Sequence, residues 1–329
     1  MKSIAWALAA LLVVTGTGCG KTDNETKTAE PGLRLRVGHF PNVTHAQALV
    51  AHALTRQGRG WFETRLGEGV AIDWFVYNAG PSAMEAIFAE SLDMTFVGPN
   101  PALNAYIKSN GEEIRVIAGA AAGGAALVVH PDGGIATPAD FRGRAIATPQ
   151  LGNTQDVACR AWLTAQGFHV TQLGGDVTVL PTSNPDQLGL FTSRKLDGVW
   201  TVEPWVSILE MEAGAKVFLE ETDTITTLLA ARVAFLKQNA QVVRAFAAAH
   251  AELTRWIVDH PAEARELVAA ELQTETSKQI SPELLERSWK RLTFTSDISL
   301  PPLERLVDAA RAAGFIRTEP DLKRLVEIP

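Results

Sequence analysis

Leu92-Asp93-Met94-Thr95-Phe96-Val97-Gly98-Pro99-Asn100-Pro101 lies over Leu196-Asp197-Gly198-Val199-Trp200-Thr201-Val202-Glu203-Pro204-Trp205 at a shift of 104 residues (Leu92 to Leu196). Each stretch reads as Leu-Asp, a short apolar strand and a Pro-containing loop. Upstream, Val37-Gly38-His39-Phe40-Pro41-Asn42-Val43-Thr44-His45 lies over Ala147-Thr148-Pro149-Gln150-Leu151-Gly152-Asn153-Thr154-Gln155, a shift of 110 that puts Thr44 on Thr154. Two overlays in the same order imply an internal repeat of strand, helix, strand, helix, Leu-Asp, strand and loop. The expected fold is therefore two similar α/β lobes, each with loops at the carboxyl ends of its strands, where open α/β sheets bind ligands.

The surrounding sequence alternates in the same way. Apolar runs at 33–37, 70–76, 94–97, 114–118, 126–129, 145–147, 177–180 and 198–200 are separated by helical stretches such as 46–55, 83–89 and 157–165. This predicts doubly wound layers with mostly parallel strands. Asn100-Pro101, Thr137-Pro138, Asn184-Pro185 and Ser281-Pro282 each set a capping side chain before a proline at the first helical position, and Ser82 to Glu85 has capping-box spacing. The small-residue run 119–125 and the apolar run 226–233 are the two expected crossings between lobes. One lobe then comprises 33–127 plus 228–329, and the other 128–227. Beyond 233 the pattern is helical (238–258, 262–272, 282–292, 303–313), so extra C-terminal helices should pack back on the first lobe. Two crossings make a hinge.

The 329 residues carry 46% hydrophobic side chains and a net charge of −7, with no basic run. A disordered chain and a nucleic-acid surface are both disfavoured. Residues 1–19 combine a positive start, an apolar run of about eleven residues and Thr15-Gly16-Thr17-Gly18-Cys19. The run is too short to span a bilayer of ~30 Å, so it is read as a signal peptide. Its end is similar to a bacterial lipoprotein box in which Cys19 is lipidated, although Gly16 stands where a branched apolar residue is usual; an ordinary secretory signal is the other reading. Residues 20–32 read as a flexible tether. Cys159, the other cysteine, would be an unpaired buried helix residue.

Six loops should face the cleft: 39–45, 78–82, 98–100, 150–155, 182–186 and 201–205. They contain neither Lys nor Arg and are rich in Gly, Pro, Asn, Thr and Gln. Free N–H groups at helix starts bind anions without a cationic side chain. Gly152, Asn153, Thr154 and Gln155 are the sharpest candidates, matched on the other lobe by Gly98, Pro99 and Asn100. Glu203 and Trp205 differ in kind: a carboxylate and an indole suit an amine or a stacked apolar group. Helix capping for the Asn and Thr residues, a capping role for Glu203 and lobe core for Trp205 stand as the plainer alternatives.

RVGHFPNVTHAQALVA (36–51), NAGPSAMEAIFAESLDMTFVGPNPALNAY (78–106), IATPQLGNTQDVA (146–158) and LDGVWTVEPW (196–205) resemble the substrate-binding proteins of ABC importers, in the aliphatic sulfonate, nitrate and taurine (NMT1-like) group. The resemblance implies a two-lobed periplasmic-binding-protein fold of type II, a two-strand hinge, no catalysis, no cofactor or metal, and a lipid-anchored extracytoplasmic monomer. It also implies closure of the lobes around a small anion and delivery to a permease and its ATPase. Carried over by motif position, it implies ligand contacts at Asn42, His45, Asn78, Gly98, Asn100, Gly123, Gly152, Asn153, Thr154, Glu203 and Trp205. Related members bind sulfonates, nitrate, bicarbonate or organic compounds, so the ligand stays open. The motifs of nucleophilic triads, P-loops, dinucleotide sites and HExxH metal sites are absent from the sequence. A receptor lobe that presents ligand to a sensor and a pyrimidine- or menaquinone-pathway enzyme of the same fold are the alternatives.

Overall fold

The computed structural model describes residues 32–329 except 173 and 318; the expected signal segment, Cys19 and nearly all of the tether lie outside the described residues. The chain begins with β1 (Leu33–His39), whose alternation buries Leu35 and Val37 on one face. A 3-10 turn at Val43–His45 leads into α1 (Ala46–Arg56), α2 (Glu63–Leu66), β2 (Val70–Val76), α3 (Gly80–Phe88), β3 (Met94–Val97), α4 (Pro99–Lys108) and β4 (Ile114–Gly123). The second lobe follows with β5 (Ala125–Val129), a 3-10 turn at Pro138–Phe141, β6 (Ala145–Thr148), α5 (Thr154–Ala165), the small hairpin β7 (Val170–Thr171) and β8 (Gly174–Gly175), and β9 (Thr178–Pro181). Then come α6 (Asn184–Thr192), β10 (Gly198–Val202), α7 (Trp205–Ala213) and β11 (Lys216–Glu221). The chain returns through β12 (Ile225–Arg232), α8 (Val233–Gln238), α9 (Ala240–Asp259), α10 (Pro261–Thr276), α11 (Pro282–Lys290), β13 (Leu292–Phe294) and α12 (Leu300–Ala312).

Among the described residues two large sheets result, in the orders β13-β4-β12-β3-β1-β2 and β11-β5-β10-β6-β9, beside the two-stranded β7-β8. They are mixed, not mostly parallel as expected. β12 runs antiparallel to β3 and β4, and β5 runs antiparallel to β10 and β11. The reason is the hinge: β5 and β12 are the strands by which the chain enters a lobe, so they run opposite to those leading to the cleft. Each sheet is covered on both faces. Leu49, Phe62, Phe96 and Phe246 pack on one side of the first sheet, and Ile87, Leu92, Leu103 and Leu303 on the other. Cys159, Leu163 and Trp200 oppose Phe191, Val199 and Val206 in the second lobe. Cys159 is a free buried cysteine, and burial pushes its thiol pKa up.

The repeat has a physical basis in its Leu-Asp pair. Asp93 Oδ2 accepts from the Arg36 N–H at 3.0 Å, and Asp197 Oδ2 accepts from the Ala145 N–H at 2.9 Å. Each carboxylate also takes a guanidinium, from Arg36 and Arg144 respectively. Equivalent aspartates thus pin β3 to β1 and β10 to β6. Along these strands the shift is 109 (Arg36 to Ala145), one less than the loop overlay, so the second repeat carries one more residue between strand and helix.

Local boundaries differ in instructive places. α4 begins at Pro99 with Gly98 as its cap residue, ahead of Asn100, and α6 begins at Asn184 itself. α3 begins at Gly80, so Ser82 lies inside it and its hydroxyl donates to the Ala79 carbonyl instead of closing a capping box. Ser281 caps α11 as expected, accepting from the Leu284 N–H at 3.2 Å. The expected helix at 238–258 is α9, which begins at Ala240 because the helical run breaks at Asn239, and residue 292 begins β13 instead of ending a helix. The C-terminal helices do not all return to the first lobe: α10 packs on α1, whereas α11 packs on α7, and α12 touches both α4 and α5. No described helix is long and apolar enough to cross a membrane.

Candidate functional site

A cavity of about 30 Å³ lies between the lobes. The first lobe contributes Phe40, Asn42, Thr44 and His45 after β1, Asn78, Ala79 and Gly80 at the start of α3, and Gly98 and Pro101 at the start of α4. The second contributes Pro149, Asn153, Thr154 and Gln155 at the start of α5, Asn184 at the start of α6, and Val202. Thr226, on β12 beside the hinge, closes the floor. Four helix N-termini therefore converge, and among the described residues Lys, Arg, Asp and Glu are all missing from this wall, with His45 its one titratable group. Burial, helped by His39, holds its pKa well below the ordinary value, so the ring is neutral. Its Nδ1 accepts from the Phe40 N–H at 3.3 Å, which leaves the proton on Nε2.

The lobes are in contact across this cavity. Thr154 Oγ1 accepts from the Asn100 N–H at 3.4 Å, Trp205 Nε1 donates to Asn42 Oδ1 at 3.0 Å, and the Val43 N–H donates to the Glu203 carbonyl at 3.1 Å. Gly98 permits this approach, because a Cβ there would stand 2.5 Å from Thr154 Oγ1.

The loop that presents Asn153 and Thr154 is built from behind. Asp156, fully buried, accepts from Thr148 Oγ1 at 2.8 Å, from the Gly152 N–H at 2.9 Å and from Arg160 Nε at 3.1 Å. Arg160 spends its remaining donors on the Thr171 and Val179 carbonyls. Asn153 Oδ1 caps α5 by accepting from the Asp156 N–H at 2.8 Å. Sequence reading singled out the cap but not the buried ion pair beneath it.

Of the eleven residues expected at a site, Asn42, His45, Asn78, Gly98, Asn153 and Thr154 line the cavity. The other five stand elsewhere. Asn100 is buried in the first turn of α4, its N–H turned to Thr154 and its Nδ2 to the Leu306 carbonyl at 3.5 Å. Gly123 ends β4 at the hinge with φ +74, where a Cβ would meet the Arg291 carbonyl oxygen at 2.5 Å. Gly152 takes φ +76 in the turn before α5 and faces Phe315. Trp205 lies in a small cluster with Ile208 and Leu284.

Glu203 corrects the amine reading most clearly. It is fully buried; its oxygens accept from Ser207 Oγ and N–H, Ser288 Oγ and Arg291 Nη1 at 2.9–3.1 Å. Burial raises its pKa, which Arg291 and Ser207 oppose. Arg291 also reaches Glu210 and Glu220. Glu203 thus fixes α11 to the second lobe behind the cavity, and no acceptor is left over for an amine.

Gln155, singled out with Asn153 and Thr154, also lines the cavity, and the lining residues not singled out beforehand mostly sit in the six loops already collected: Phe40, Thr44, Ala79, Gly80, Asn184 and Val202. Pro101 and Pro149 adjoin those loops. Thr226 has no local signal, since it reaches the cavity only because β12 crosses the hinge.

Residues 28–272 match the model of the NMT1-like family. A Bacillus subtilis (strain 168) protein named for binding aliphatic sulfonates is 23% identical over 277 residues, covering 81% of this chain and 77% of the relative. The alkanesulfonate-binding protein SsuA of Xanthomonas axonopodis pv. citri, solved bound to MOPS, superposes with a TM-score of 0.69 at 19% identity, covering 91% of this chain and 97% of that one. The periplasmic nitrate-binding protein NrtA of Synechocystis PCC 6803 superposes with a TM-score of 0.71 at 14% identity, over 87% and 83% of the two chains. The fold is the two-lobed periplasmic-binding-protein fold. The family match covers more than half of the sequence, and the chain belongs to the NMT1-like family.

Proposed function

We propose that this protein is the extracytoplasmic solute-binding component of an ABC importer, that it captures a compact anion between its lobes, and that it hands the anion to a membrane permease. One observation carries this: four helix N-termini from both lobes converge on a small inter-lobe cavity whose wall, among the described residues, has no Lys, Arg, Asp or Glu. Helix-terminal N–H groups and dipoles stabilise an anion there, worth about 0.3–1 kcal/mol each at ordinary exposure and more when buried. The neutral His45 and the hydroxyls and amides around it add donors. A ligand touching both lobes binds the closed form better than the open one, and that difference drives closure.

Size supports a small group. A cavity of about 30 Å³ holds roughly two waters at ~10–15 Å³ each. A nitrate or a sulfonate head fits that scale, and a long substituent requires a less complete closure. The relatives named for sulfonate and nitrate binding support the same chemistry. Residues 1–19 serve in this reading as the export signal, with Cys19 as the point of lipid attachment.

Thermal unfolding of the purified protein with nitrate, sulfate, methanesulfonate, taurine, bicarbonate and neutral pyrimidines tests the proposal. A ligand at ~100 times its Kd adds about 2.7 kcal/mol, a shift of a few degrees. A rise with one of the anions is expected. A rise only with a neutral or cationic compound would overturn the anion reading.

A further inference from the structure

We infer that His39, His52 and Glu275, with Glu271 beside them, form a binding site for one divalent transition-metal ion of the zinc class, buried in the first lobe and separate from the inter-lobe cavity. The end of β1, the middle of α1 and the last turns of α10 bring these side chains together. His39 Nε2 lies 2.5 Å from Glu275 Oε1. His52 Nδ1 lies 3.1 Å from the same oxygen and 2.8 Å from Glu271 Oε1. One ligand atom from each of His39, His52 and Glu275 falls within 4.8 Å of the others.

The cluster is dry: the side chains of His39, Glu271 and Glu275 are at most 1% exposed, and that of His52 is 10% exposed. Arg56 is the guanidinium that joins it, its Nε 2.9 Å from Glu271 Oε1. Glu275 Oε2 is buried with no hydrogen-bond partner. It is an acceptor left unused on the carboxylate that meets both histidines.

Two imidazole nitrogens and one carboxylate are a donor set that zinc takes readily, with a fourth position left for water. Tetrahedral ligands at about 2.0–2.2 Å stand about 3.3–3.5 Å apart. The His52 contacts need only a few tenths of an ångström, and the His39–Glu275 contact opens by a turn of the carboxylate that brings Oε2 forward. The surroundings hold the ligands in place. Trp74 stacks on His52 with centroids 5.3 Å apart and stands edge-on to His39 at 5.5 Å. Arg56 orients Glu271 and, with its side chain 48% exposed, leaves a way in. A metal here would tie α10 to the end of β1, directly before the loop that supplies Phe40, Asn42 and His45 to the cavity.

The test uses the purified protein, stripped with EDTA and titrated with zinc chloride alone against a fluorescent zinc indicator, with metal content by mass spectrometry. One zinc per chain and a rise in melting temperature are expected. Glu275→Gln and His52→Gln should each weaken zinc at least 100-fold, while His260→Gln, at an exposed histidine, leaves it unchanged. Circular dichroism reports whether each variant is folded, and either folded variant suffices. No zinc binding by the natively folded protein overturns the proposal. So does zinc binding that both variants retain. No anion is needed in these measurements, so their outcome is independent of the transport reading.

Discussion

Trp205 Nε1 donates a hydrogen bond to Asn42 Oδ1 at 3.0 Å, joining the first residue of α7 in one lobe to the loop after β1 in the other. Both residues are about 6% exposed, so the bond forms away from water. Two residues that resemblance assigned to a ligand thus bind each other. In a double-mutant cycle of Trp205→Phe and Asn42→Leu, urea unfolding should show a coupling of about 1 kcal/mol. A coupling near zero would mean that the lobes do not meet here in solution.

Gly98 sets how far the lobes close. Its backbone, at φ −64 and ψ 149, is ordinary for any residue, and the obstacle to a side chain is Thr154 Oγ1 on the opposite lobe, 2.5 Å from a Cβ. Gly98→Ala should leave unfolding without ligand within about 0.5 kcal/mol of the parent. Affinity for nitrate or methanesulfonate, whichever stabilises the parent more, should fall at least tenfold by calorimetry. Undiminished affinity would show that binding does not require this approach.

Thr154 carries a hydroxyl at the start of α5, on the cavity wall. A hydrogen bond to an anion is worth about 1.5–3 kcal/mol. Thr154→Ala should weaken the same anion by roughly ten- to a hundredfold, and Thr154→Ser should restore most of the loss. If alanine binds as well as threonine, the anion sits elsewhere.

Asp156 and Arg160 are a buried pair under the α5 loop, with side chains 0% and 3% exposed. Removing one partner of such a pair strands the other charge, at a cost of about 3–5 kcal/mol. Arg160→Met should lower unfolding stability by that amount in urea. A loss under 1 kcal/mol would show that the loop does not depend on the pair.

His250 gives the chain a pH limit. Its ring is buried and donates to the Gly119 carbonyl (2.7 Å), and burial lowers its pKa from 6.5 to about 4. A depressed histidine pKa means that the unfolded chain takes up the proton first. Its stability contribution is complete above pH 6.5 and falls as the pH drops towards 4. The loss is on the order of 3 kcal/mol. Urea unfolding at pH 7.5 and pH 4.5 should show that His250→Gln, which keeps a donor for Gly119, removes about that much of the difference. An unchanged pH dependence would exclude His250 as its source.

Much of this molecule is legible from its sequence, because the signals are local. The apolar runs became strands, Ser281 before Pro282 became a helix cap, and the two Leu-Asp pairs became equivalent strand locks. Loops without Lys or Arg supplied nearly the whole cavity wall, since each follows a strand and opens a helix. Strand directions near the hinge were not legible, because composition does not record which way a chain enters a sheet.

What tertiary structure alone decided concerns partners far apart in the chain. Glu203 met Ser288 and Arg291, 85 and 88 residues away, and so became a buried brace instead of a ligand contact. His39 met Glu275 across 236 residues, where no motif spacing exists to be read. Capping, alternation and turn chemistry act within a few residues, so a sequence displays them directly. Burial and charge pairing depend on which surfaces the closed lobes press together, and those exist only once the chain has folded.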